Sequence, residues 1–316
     1  GGNFGSKRFS AFYSSVTAVH SWRMRSIACL QIADFNFGIF TESELPIVIE
    51  EGFNDFILED VTEIDRHIII HQGLIELPIS ATLSYEAKQQ KTLLWKVYQQ
   101  NDGIFLDVFH PTSFKIQQRA FYSSEKRTWD IYCLPTKNQD GELVLNPLAY
   151  PMAPLIWYYL TTEEDVIMLH ASGISAAGIG RIFAGFSGVG KSTLAQLWSN
   201  EGAEVINDDR LLLRIKSDGL WIYNTPMPYF DYSKKSPVHH LYLPFHAPLN
   251  SYESLSGAKA IANLLAFCIQ HGYKKEILFH HIDVVQKILK KSSIARLGVV
   301  PEPSICNFIQ DHEIQK

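Results

Sequence analysis

The chain has 316 residues, 46% of them hydrophobic and 19% charged, with a formal net charge of −5 at pH 7. That is an ordinary globular composition, long enough for two domains of average size. The negative balance argues against a protein built mainly to coat nucleic acid. No apolar run approaches the length of a membrane span, so neither a transmembrane helix nor a membrane partner is expected.

The opening Gly1-Gly2-Asn3-Phe4-Gly5-Ser6 lacks an initiator Met and the apolar core of a signal peptide. It reads as a trimmed start and is set aside from fold reasoning. Cys29, Cys133, Cys268 and Cys306 are scattered without CxxC spacing. They read as small buried hydrophobes in a reducing cytoplasm, not as a disulfide frame or a zinc site.

Residues from about 25 to 150 are rich in strand and turn signals. Ile68-Ile69-Ile70 and Trp95-Lys96-Val97-Tyr98 are β-prone, and Asn101-Asp102-Gly103 is a hairpin turn before Ile104-Phe105-Leu106. Gln139-Asp140-Gly141 separates Trp129–Cys133 from Leu143-Val144-Leu145 in the same way. A β-rich accessory domain over residues 1–149 is the expectation. The cluster of Pro147, Pro151 and Pro154 marks its end, and a second domain is expected over 150–316.

Leu155 to Leu160 then predicts a buried helix, and Val166 to Leu169 a strand that delivers His170. Ala171 to Gly180 reads as a strand and hairpin turn. After the strand Ile182-Phe183-Ala184 comes Gly185-Phe186-Ser187-Gly188-Val189-Gly190-Lys191-Ser192, which fits the phosphate-loop pattern GxxxxGK[ST] at every fixed position. Backbone N–H groups can approach a triphosphate closely only where glycine lets the chain turn tightly without a Cβ. Lys191 is expected at the β/γ-phosphates and the Ser192 hydroxyl on Mg²⁺. From Thr193 the chain has good helix formers, so the positive end of a helix faces the phosphates. The expected nucleotide-binding set is Gly185, Phe186, Ser187, Gly188, Val189, Gly190, Lys191, Ser192 and Thr193, with ATP and Mg²⁺ as cofactors.

Glu204 to Asn207 predicts a strand ending in Asp208-Asp209, and Leu211 to Ile215 a strand that turns at Ser217-Asp218-Gly219 into Leu220–Tyr223. Asn224 to Pro228 and Asp231 to Pro237 read as loops, and Leu241-Tyr242-Leu243 as a short strand. Two helices follow. Ile261, Leu264, Leu265 and Cys268 share one face of the first, which ends near Gly272. Leu278, Ile282, Val285 and Leu289 share one face of the second. A strand near Leu297–Val300 and a helix from Pro303 close the chain. The pairs His239-His240 and His280-His281 are not expected to bind metal, because adjacent side chains diverge.

The carboxylate pair suits a metal site, because neighbouring carboxylates raise each other's pKa unless a cation intervenes. One Asp can support Mg²⁺ while the other accepts a proton from an attacking hydroxyl. A solvated Asp-Asp turn is the bland alternative. Taken together, His170, the phosphate loop and Asp208-Asp209 resemble the bacterial HPr kinase/phosphorylase catalytic domain and its HPr-kinase-related relatives. His170 precedes Gly185 by fifteen positions and Asp209 follows Lys191 by eighteen, spacings similar to the family's. The resemblance covers residues from about 166 to 215. Tyr223-Asn224-Thr225-Pro226, Leu297 to Glu302 and the stretch Ile32 to Phe37 look like the looser HPr-kinase-related group.

The resemblance implies an α/β fold: an HPr-kinase/phosphoenolpyruvate-carboxykinase-like P-loop domain preceded by a small β-rich N-terminal domain. It implies Asp209 as proton acceptor, His170 as an assisting group, Lys191 as the charge neutraliser at the γ-phosphate, and Ser192 and Asp208 as metal support. The family's Glu-containing segment after the Asp pair has no match between Leu220 and Asn250, and its later Arg has none either, so phosphorolysis and HPr itself are not implied. Lys234-Lys235 could contact phosphates or a partner, or form a solvated loop tip. The expected activity is ATP- and Mg²⁺-dependent transfer to a Ser-type hydroxyl of a protein, peptide or small molecule, in the cytoplasm, by a possible homo-oligomer. The alternative is a nucleotide-binding regulator with vestigial kinase chemistry. A carboxykinase-like activity on a small carboxylic acid needs an arginine cluster, and past the Asp pair the chain has only Arg210, Arg214 and Arg296.

Overall fold

A computed structural model describes residues 24–61, 63–271 and 274–314, a mixed α/β chain dominated by strands. The glycine-rich opening and Gly272 lie outside the described residues. The chain divides into two compact units. One holds the described residues up to 31 together with 35–49 and 57–147; the other holds 32–34, 50–56 and 148 onward.

The first unit is built on one eight-stranded sheet. Its strands are β1 (Arg25–Ile32), β2 (Phe35–Thr41), β3 (Arg66–Gln72), β4 (Thr82–Gln89), β5 (Thr92–Gln100), β6 (Gly103–Phe109), β7 (Ile116–Ser123) and β8 (Thr128–Cys133). Their order is β1-β2-β3-β8-β7-β6-β5-β4, with β3 parallel to both β2 and β8. Alternation places Ile68 and Ile70 on the buried face with Leu106, Ala120 and Ile131, all fully buried. The predicted turns at Asn101-Asp102 and Gln139–Gly141 are present. The second leads to the two-residue strand β10 (Leu143–Val144), which pairs with β9 (Thr136–Lys137).

In the second unit α1 (Met152–Tyr158) is buried nearly throughout, as its run of large apolar residues requires. The sheet strands are β11 (Val166–Ala176), β12 (Ile179–Ala184), β13 (Glu204–Asn207), β14 (Arg210–Lys216), β15 (Gly219–Tyr223), β16 (Lys235–His246), β17 (Ser251–Ser254) and β18 (Ser293–Val299). Their order is β12-β11-β14-β15-β16-β18-β17, with β13 beside β11; β12 also pairs in parallel with β16, which closes a circuit of five strands.

The helices are α2 (Lys191–Asn200), α3 (Gly257–Leu265), α4 (Lys275–Leu289) and α5 (Ser304–Ile314). Period-two alternation sends neighbouring side chains into two cores. Ile182, Ala184, Leu241 and Leu243 pack with Leu264, Val284, Val285 and Ile288 of α3 and α4. Phe183 and Tyr242 pack with Leu194 and Trp198 of α2 and with Ile305 and Ile309 of α5. Each buried Leu, Ile, Val or Phe among them contributes roughly 1.5–3 kcal/mol by removal from water.

Four local expectations are corrected. Pairing with β15, β12 and β18 extends the short strand at Leu241–Leu243 to twelve residues, and the β15 partners of Lys235 to Pro237 end the preceding loop at Lys234 rather than Pro237. The helix carrying Ile261 ends at Leu265, where residues 267–269 leave it to bond with β11. The inward face of α4 is His281, Val284, Val285 and Ile288, whereas Leu278 is exposed. His170 stands inside an eleven-residue strand, not at a strand end.

Candidate functional site

The glycine-rich loop that matches the phosphate-loop pattern spans the gap between β12 and α2. Gly188 and Gly190 have φ of +83° and +95°, a left-handed backbone that a side chain would strain. Gly185 is needed for another reason, since a Cβ there would lie 2.8 Å from the Val189 side chain. No side chain caps α2, so its first-turn amides are left to face an anion, together with the helix's positive end.

Lys191 is buried and folds back over its own loop. Its Nζ donates to the Gly185 and Phe186 carbonyls at 2.8 and 2.9 Å, which uses two of three ammonium donors. Burial holds this ammonium below the ordinary lysine value, while the negative charges of Asp208 and Asp209 pull the other way. The two carboxylates therefore act electrostatically on the loop lysine although they follow it in a separate turn.

That turn is shaped by Asn207, a buried side chain whose Oδ1 accepts from the backbone N–H groups of Asp209 and Arg210 at 2.9 and 3.0 Å. An Asn side chain that bonds its own downstream backbone is a standard way to hold a tight turn. Ser172, buried on β11, donates its hydroxyl to Asp208. His170 pairs with Arg210 across β11 and β14, which puts it beside the same turn. Its Nδ1 lies 3.0 Å from the Asp209 carbonyl and 3.4 Å from the carboxylate Oδ1. A carbonyl can only accept, so Nδ1 carries the hydrogen and Nε2 is left to act on a ligand. The side chains of His170 and Asp209 are 48% and 50% exposed, so a substrate can reach both.

Three contacts had no counterpart in the sequence reading. His246, at the end of β16, reaches the Gly188 carbonyl through Nε2 at 2.9 Å. Phe267 stacks edge-on against Phe186 of the loop at 5.1 Å, and its carbonyl accepts from the His170 N–H at 3.3 Å. Asn207 stood next to the Asp pair, and the Asn-Asp-Asp run was the available signal for its turn. For His246 and Phe267 no local signal existed, because both arrive through long-range pairing.

Among the described residues, no three His, Cys, Asp or Glu side chains converge as a metal-binding group. Mg²⁺ does not need one, since it prefers oxygen donors and commonly takes one or two protein ligands plus phosphate oxygens and water. The exposed Ser192 hydroxyl and Asp208 carboxylate supply donors of that kind. Lys234 and Lys235 are engaged elsewhere, with Asp231 at 2.8 Å and Asp34 at 2.9 Å. Among the described residues no helix is long and apolar enough to cross a membrane.

No family model matches the chain, and no curated protein matches it either. Among solved structures, the Hpr(Ser) kinase/phosphatase from Coxiella burnetii is similar at 12% identity, over 47% of this chain and 97% of that one, with a TM-score of 0.29.

Proposed function

We propose that the chain is an ATP- and Mg²⁺-dependent kinase of HPr-kinase type that transfers the γ-phosphate to a Ser-type hydroxyl. The observation that carries this reading is geometric: Lys191 closes a loop of phosphate-loop pattern, and β11 sets Ser172 against Asp208 and His170 against Asp209. The resemblance of the same residues to the HPr-kinase-related group supports it independently of the geometry.

In this mechanism the loop amides and the α2 N-terminus hold the triphosphate, and Lys191 exchanges its carbonyl partners for phosphate oxygens. Ser192 and Asp208 would hold Mg²⁺, which when bound draws charge off the phosphate oxygens. Ser172 fixes the Asp208 carboxylate. Asp209 takes the proton of the acceptor hydroxyl as the acceptor oxygen bonds to the terminal phosphorus and the bond to the departing ADP breaks. His170, with Nδ1 committed to the Asp209 carbonyl, holds the turn that carries this carboxylate and offers Nε2 to the phosphate or the acceptor.

A nucleotide-binding regulator is the second reading, favoured by one observation. Asp231 is the one acidic residue between Leu220 and Asn250, and it is paired with Lys234 rather than available to a metal.

The test is ATP consumption and phosphate transfer with Mg²⁺ to free serine and to pooled peptides, comparing the wild type with Asp209→Asn and Lys191→Ala. Each variant is expected to lose on the order of a hundredfold or more in rate, as removal of one charge-stabilising or proton-accepting group does. Near-full turnover by either variant contradicts its assigned role. Tight ATP binding without turnover in the wild type supports the regulator.

A further inference from the structure

β12 and β16 run parallel, with Phe183 opposite Tyr242 in register. Parallel strands end at the same side of a sheet. β12 runs into the phosphate loop at Gly185, and β16 ends on that side at His246. The backbone of His246 is not loose, because it pairs with Val299 of β18 and the next N–H, of Ala247, bonds to the Val299 carbonyl. From this anchored position Nε2 lies 2.9 Å from the Gly188 carbonyl oxygen. The ring also borders Gly190, where a Cβ would lie 3.9 Å from its Cε1.

The Gly188 carbonyl can only accept, so Nε2 donates. A trans peptide is planar with its C=O and N–H directed oppositely. Holding the carbonyl toward His246 therefore turns the Val189 N–H away from it. Gly188 is otherwise free to rotate, since glycine occupies either sign of φ freely and this one is exposed with open space around it. A free loop of this kind must spend part of its binding energy on ordering.

We propose that His246 is a positioning residue for nucleotide binding, latching the Gly188–Val189 peptide so that the Val189 N–H faces the phosphates of a bound triphosphate. The latch rests on the nucleotide-binding reading above. It acts on the phosphates and not on the base or ribose, because its hydrogen bond fixes only loop backbone. The anion it serves is a polyphosphate, and the imidazole does not touch the transferred group.

The experiment measures binding of Mg·ATP, tripolyphosphate and adenosine by calorimetry to the wild type, H246F, H246Q and K191A. Phe keeps a ring of similar shape without a donor, whereas the Gln amide can place an N–H close to the position of Nε2. H246F is expected to weaken ATP and tripolyphosphate binding between about twofold and tenfold, the span of one net hydrogen bond. Adenosine binding and the melting temperature without ligand are expected to stay unchanged, and H246Q to recover most of the loss. If H246F does not fold, H246A carries the same expectation, since His246 is exposed.

Wild-type affinity in H246F, or equal losses in folded H246F and H246Q, overturns the latch. Weakened adenosine binding in step with ATP overturns it too. ATP binding that is absent in the wild type, or unchanged in K191A, instead overturns the nucleotide reading and the latch with it.

Discussion

Asn207 accepts hydrogen bonds from the backbone N–H groups of Asp209 and Arg210, and so holds the turn that presents both candidate carboxylates. Asn207→Ala leaves two donors without that acceptor, in a residue that is 4% exposed. We expect a loss of roughly 1–3 kcal/mol in stability, the net worth of two hydrogen bonds at about 0.5–1.5 kcal/mol each, read from denaturant midpoints. Single-turnover transfer should slow as well, while Asn207→Asp, which keeps an acceptor oxygen, should recover much of the stability. His170 tests the same turn from the other side. His170→Ala should lower kcat by about a hundredfold, the low end of what a positioned acid–base group supplies, with ATP affinity little changed. An equal fall in ATP affinity would make His170 a phosphate ligand instead. At this scale the sequence was informative about the local form of one loop and one turn, Gly185–Ser192 and Asp208-Asp209, because their own glycines and the preceding Asn207 shape them. It was silent on His246, 58 residues from the carbonyl it holds, because only strand pairing brings the two together.

Among the elements, α5 is fastened to the sheet by a buried ionic cluster. The Glu313 carboxylate accepts from Arg181 Nε at 2.8 Å and from the Tyr242 hydroxyl at 2.6 Å, and the Arg181 guanidinium lies 4.5 Å above the Trp198 ring of α2. Burial pushes the Glu313 carboxyl up, but the hydrogen bonds from Arg181 and Tyr242 outweigh it and hold the group below its ordinary value of 4.5. A carboxylate lowered on folding stabilises above its unfolded pKa. This contribution is therefore complete above about pH 4.5 and is lost as pH falls through the folded value. Glu313→Gln should cost about 3–5 kcal/mol at neutral pH, as breaking one partner of a buried pair does, and should flatten the acid limb of the stability profile. An unchanged acid limb would show that the cluster does not set it. The sequence revealed a helix from Pro303 but not this cluster, whose members come from β12, β16 and the last turn of α5. The same limit explains β16. The run from Lys235 to Pro237 contains a proline and two polar residues, so local propensity read it as loop, and pairing with β15 made it strand. On α4, His281 is buried because Thr161 and Gln270 satisfy its ring nitrogens, an inward face that a hydrophobic period could not show.

For the molecule as a whole, the sequence showed a β-rich first half and a strand–loop–helix core after it. It could not show the closure of five strands by the β12–β16 pairing, because that depends on which of several apolar strands become neighbours. Nor could it show that the turn at Ile32–Asp34 belongs with the second unit, where Asp34 meets Lys216, Tyr223 and Lys235. The two functional readings separate at this scale. A ligand that binds only the folded state stabilises by RT ln(1 + [L]/Kd), about 2.7 kcal/mol at a hundred times Kd. Hydrogen exchange with and without Mg·ATP would show where that stabilisation lands. For a kinase whose nucleotide site is local, protection should rise in residues 185–200, in the Asn207–Arg210 turn and in β11, and Lys191→Ala should remove it. Exchange across β3 to β8 should stay as it was. A regulator must transmit binding to the first unit, because a ligand shifts a second element only through a differential interaction with it. ATP-dependent changes in β3 to β8, abolished by Lys191→Ala and present without any phosphate transfer, would therefore replace the kinase reading with the regulator.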